Sequence, residues 1–100
     1  MSQAHCLLTG KRNIRLSLYF HEKPGPFILI IGSAKNLLEF HMYSLQIKNK
    51  SVLCSWQGIK NRIQCSIHGI TLKPFIGHTM ILFDGDHEIA SGVIGIASED

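Results

Sequence analysis

Long apolar runs are missing from this sequence. The longest, Phe27 to Ile31, spans five residues, whereas a membrane-crossing helix needs about 20. The first residues, Met1 to Cys6, lack a basic stretch feeding an apolar one, so no signal peptide is expected. Cysteine is scarce and odd in number, with Cys6, Cys54 and Cys65 the three present. That does not make a disulfide framework, and Cys54 and Cys65 sit in apolar, strand-like runs where a free thiol acts as a small hydrophobe. A reducing, cytoplasmic setting follows as the expectation. Charge is also thin, at 17% of residues against 45% hydrophobic, which excludes a disordered tail. The 100 residues make one domain, 1–100. A domain of this size buries roughly 60–65% of its unfolded surface and supports one modest core.

Helical periodicity is missing too, apart from at most a single turn around Ala34 to Leu38. What the chain has is period two. Ile14, Leu16, Leu18 and Phe20 alternate with Arg15, Ser17 and Tyr19, as in a half-buried strand. The segment His21 to Pro26 breaks this pattern, and Phe27 to Ile31 suits a central strand covered on both faces. Leu38, Phe40 and Met42 alternate with Glu39, His41 and Tyr43, after which the phase moves to Leu45 and Ile47. A one-residue slip turns every side chain to the other face, so a bulge is expected near Tyr43-Ser44. Val52, Cys54 and Trp56 form a short alternating run. Ile59, Ile63, Cys65 and Ile67 oppose Lys60, Arg62, Gln64 and His68, which gives a strand with a basic wet face. The runs Met80–Phe83 and His87–Ile94 flank Asp84-Gly85-Asp86, a strong hairpin signal of the type I′ kind. Glycines 92 and 95 in the last run predict a bend or a close backbone approach. The pattern predicts an all-β fold: a small antiparallel, Greek-key-type β-barrel or sandwich of six to seven strands.

Catalytic and metal motifs are not found. Cys65 and His68 fall on opposite faces of a strand, and no Cys or His pair has zinc-knuckle spacing with a matching partner. Asp84 to Glu88 lacks the distant glutamate of a calcium loop, and Gly92-Val-Ile-Gly95 lacks the spacing of a dinucleotide fingerprint. With no nucleophile elbow and no Walker loop, the expectation is a non-enzyme without cofactor or small-molecule substrate. The net charge of +3 leaves room for a basic patch among Lys11, Arg12, Arg15, Lys48, Lys50, Lys60 and Arg62.

The stretch from Phe75 through Asp84-Gly85-Asp86 to Val93-Ile94 resembles the end of the C-terminal β-barrel, domain III, of elongation factor Tu. Gly58 to His68 is similar to that family's strand leading into an Ile-His-Pro-like corner, and Leu38–Met42 and Ile14–Phe20 stand where two further strands fall. The resemblance implies the same barrel. It also places Asp84 and Gly85 on positions that contact the T-stem of tRNA in the factor, while Ser44 to Lys50 replaces the threonine-rich strand and His87 an arginine. The chain carries no GTPase unit, so a switch-driven delivery role is not expected.

Two functions follow. The first is a non-catalytic binding protein that occupies a partner's surface, most concretely an immunity or antitoxin-type protein meeting a bacterial toxin through the loop Asp84, Gly85, Asp86 and His87. With a chain of +3, such a partner presents an acidic or largely apolar face. The second is a tRNA or other RNA module using Lys48, Lys50, Lys60 and Arg62.

Overall fold

The computed structural model describes residues 2–48, 52–57 and 61–98. Among these residues are nine strands: β1 (Gln3–Gly10), β2 (Arg15–Lys23), β3 (Phe27–Lys35), β4 (Met42–Ile47), β5 (Val52–Gln57), β6 (Arg62–His68), β7 (Thr79–Asp84), β8 (His87–Val93) and β9 (Gly95–Ser98). The remaining regular structure among the described residues is two single 3₁₀ turns, Lys11–Asn13 and Lys73–Phe75. Eight strands follow one another in the order β5-β4-β7-β8-β1-β2-β3-β6, all antiparallel, and curl into a nearly closed barrel. After β5 the chain crosses to the other end of this order, where β6 pairs with β3, and then returns so that β7 lies beside β4. The strand count exceeds the predicted six to seven because β1 and β9 leave weak traces in the sequence. In β1 the inward residues are Ala4, Cys6 and Leu8, two of them small, while Leu7 faces out.

The core is wholly apolar among the described residues. Leu16, Leu18 and Phe20 of β2, Ile28 and Ile30 of β3, Tyr43, Leu45 and Ile47 of β4, and Met80 and Leu82 of β7 point inward and are buried. Each set alternates with outward residues, as a closed sheet requires. Several local readings change. The proline-rich segment does not end β2 at Phe20, because His21, Glu22 and Lys23 continue the ladder opposite Leu29, Ile28 and Phe27. β3 is covered on its inner face only, and Ile31 lies open on the outer one. The phase change in β4 is not a bulge at Tyr43-Ser44. Leu38 to His41 is a loop, and the bulge falls opposite, on β5, where Leu45 pairs with Cys54 and Gln46 with Val52.

Opposite the β7–β8 turn, the end of the barrel is stoppered by residues 69–78. Leu72 is fully buried, and its backbone N–H donates to Glu22 Oε2 at 2.9 Å. β8 and β9 are one strand broken at Ile94, whose N–H donates to the His78 carbonyl at 2.9 Å. Together they line the same edge of β1. The expected close approach is at Gly92, where a Cβ would collide with the Leu7 carbonyl, and Gly10 meets the Ile89 carbonyl in the same way. Gly95 sits in open space.

Gly92→Ala therefore forces β8 away from β1 and is expected to lower stability by about 3 kcal/mol. Urea unfolding of the variant checks this, and a midpoint equal to that of the wild type would show that the two backbones separate at no cost.

Candidate functional site at the hairpin end

Asp84 closes β7 opposite His87, the first residue of β8, so Gly85 and Asp86 alone make the turn. Gly85 takes φ +60° and Asp86 does not take positive φ. The turn thus has the first-position glycine of type II′ rather than the two positive angles of type I′. Asp86 and His87 are exposed, and the Asp84 carboxylate is mostly covered at 15% side-chain exposure.

Two neighbours distant in sequence cover Asp84. His41 Nδ1 lies 2.7 Å from Asp84 Oδ2, and the Arg12 guanidinium donates to the same oxygen at 3.4 Å. The Gly85 N–H donates to the Met42 carbonyl at 3.0 Å, tying the hairpin to the start of β4. The loop ahead of β4 is held from beneath by Tyr43. That side chain is buried, accepts the Leu38 N–H on its hydroxyl at 2.7 Å, and stacks near His41 with ring centroids 6.3 Å apart.

Backbone strain gathers at the same end. Arg12, Asn13 and Asn36 hold φ of 58°, 57° and 68°, a left-handed conformation that costs a non-glycine residue about 1 kcal/mol. Asn36 Nδ2 donates to the Asn13 carbonyl at 2.7 Å, and Arg12 is held through Asp84, so side-chain contacts between loops offset that cost. Over this fixed frame Phe40 is 82% exposed, Met42 56% and Leu38 40%. The sequence pattern sends these three inward, yet they form an apolar fringe beside the hairpin. Local alternation holds no signal for this, because the strand begins only at Met42.

Of the basic residues predicted to act together, Lys48 and Arg62 are described, and they fall toward different ends of the barrel. Lys48 follows β4 at the stoppered end, its N–H donating to the Thr79 carbonyl. Arg62 starts β6 toward the hairpin end, opposite Ser33. Lys50 and Lys60 lie outside the described residues. Arg62 instead shares the outer face of β2 and β3 with Arg15 and Lys35, which oppose each other, and with Ser17, Ser33 and Tyr19. Lys35 was not among the predicted basic positions. Among the described residues no three His, Cys, Asp or Glu side chains gather in a metal-holding group. No family model and no curated protein matches the chain.

Gly85→Val places a β-branched residue at φ +60° and is expected to cost about 1–3 kcal/mol while leaving the barrel folded. Thermal unfolding with a far-UV spectrum tests it. An unchanged Tm would mean the turn adopts another conformation freely.

Proposed function

We propose that the chain is a binding barrel that acts by occupying a partner protein's surface with its hairpin end. The observation that carries this reading is the exposed Phe40–Met42 fringe, locked beside the Asp84 hairpin by the His41 and Arg12 contacts. A rigid aromatic and a methionine presented on a fixed frame bind with little ordering cost, and such apolar anchors carry most of the affinity at protein interfaces. Asp84, Gly85, Asp86 and His87 then form the polar rim of the contact rather than its centre. A toxin neutralised by steric cover is the most concrete partner of this kind, and the apolar fringe suits a net charge of +3 better than a charge-steered contact does.

The test is affinity capture with the tagged protein at moderate salt, followed by titration of the captured partner against variants. Phe40→Ala and Met42→Ala are each expected to weaken binding at least about tenfold with the fold unchanged. A stoichiometric partner that binds both variants as tightly as the wild type would sink the reading.

A second reading, an RNA module related to translation elongation factors, is favoured by one observation: Arg15, Lys35 and Arg62 stand on one outer face with the exposed Tyr19. Guanidinium and ammonium groups beside an aromatic ring suit phosphates and a stacked base. If that face binds tRNA, replacing the three cations with alanine should lower the slope of log affinity against log salt by about 3. An unchanged slope would remove the face from consideration.

A further inference from the structure

β5 and β6 are the two ends of the strand order. Among the described residues each is hydrogen-bonded along one edge only, β5 to β4 and β6 to β3, so the barrel has a seam where the other two edges meet. Registers place a thiol on the inner side of both edges. Cys54 opposes Leu45, and Cys65 opposes Ile30, both partners being fully buried inward residues. The two cysteines line one cleft of about 270 Å³ between the strands, with Trp56, Ile63 and Arg62 around them. Within it the two thiols are close enough to act on each other's protonation. Beside them the Trp56 indole N–H is buried without a partner among the described residues, another sign that the seam is unfinished.

We propose that Cys54 and Cys65 are a reversible modification site, which a hydroperoxide closes into a disulfide that fastens the barrel seam. Chemistry separates this pair from the third cysteine. Hydrogen bonding with Cys54 lowers the Cys65 thiol below its ordinary value, against an opposing effect of burial, and Cys54 rises in turn. Cys6, on the central strand, has no thiol neighbour of this kind and is pushed up by burial to about 12. Cys65 is therefore the thiolate that attacks. Its sulfur takes the terminal peroxide oxygen, the O–O bond breaks, and hydroxide leaves and is protonated, giving a sulfenic acid on Cys65. The Cys54 sulfur then displaces that hydroxyl as water while losing its own proton, and the S–S bond forms. Two thiols lose two electrons and two protons, and hydrogen peroxide becomes two waters.

A covalent bridge across the seam joins edges that no backbone ladder joins among the described residues, and it restrains the unfolded chain as well. The experiment treats the reduced, full chain with equimolar hydrogen peroxide, caps remaining thiols with iodoacetamide, and maps tryptic peptides without reductant. Cleavage after Lys60 and Arg62 separates the two cysteines. The expected product is one intramolecular Cys54–Cys65 linked peptide, with Cys6 capped only after unfolding. The oxidised monomer should melt about 5 °C or more above the reduced one, and dithiothreitol should reverse the shift. Cys54→Ser should leave Cys65 to proceed to sulfinic acid, and Cys65→Ser should give no linked peptide. The proposal is overturned if Cys65 over-oxidises in the wild type as fast as in Cys54→Ser, if Cys6 reacts as fast as Cys65, or if the linkage forms between chains. Peptide mapping of the wild type decides the last two points even if a variant fails to fold.

Discussion

The structure depends on the two edges of one strand. β1 carries β2 along one side and β8 with β9 along the other, and so joins the group β5-β4-β7-β8 to the group β2-β3-β6. The second of those edges is narrow: Thr9 and Gly10 face Ser91 and Ala90, and three further pairs connect β1 to β9. Such a short ladder holds only if the backbones come very close. Gly10 and Gly92 allow that approach by having no side chain at the crossing. Without the join, Ala4, Cys6 and Leu8 lose their cover, and the inward faces of β2 and β8 no longer share a core.

Because β1 fixes how the halves meet, it also fixes what meets at the barrel's ends. The turn after β1 carries Arg12 to Asp84, and the loop before β4 carries His41 to the same carboxylate. These three segments are far apart in the chain, and their contacts keep three non-glycine residues in left-handed backbone. The hairpin end thus combines exposed apolar side chains with tertiary restraint, a combination suited to presenting a surface without deforming it. At the other end Glu22 and Leu72 stopper the core. Along the side, the closure begun by β1 stops short at β5 and β6. The two thiols there occupy inward positions where a fully paired barrel would need only packing.

Much of the fold was legible from period two alone. The alternations in β2 and β6 read correctly because each of those strands has one wet face, which the sequence must write as polar residues, while the β7–β8 hairpin was marked by its Asp-Gly turn. β1 was silent because alanine and cysteine carry little hydrophobic contrast and Leu7 stands on the wrong side of the pattern. Leu38, Phe40 and Met42 misled for the opposite reason: they alternate as a strand does, but no neighbouring strand is available to pair with them before Met42. Of the site, the turn at Asp84 to His87 was visible because a two-residue hairpin is a local event. Its partners Arg12 and His41 were not, since nothing local links positions so far apart.

Composition and alternation by themselves determined an all-β fold with an apolar core and a tight turn at Gly85, since burial of one face and left-handed backbone both leave marks on neighbouring residues. Tertiary structure alone decided which strand is central, where the barrel stays open, and which side chains share the hairpin end. Those outcomes depend on strand order, and strand order is set by backbone pairing between distant segments, which side-chain periodicity does not encode.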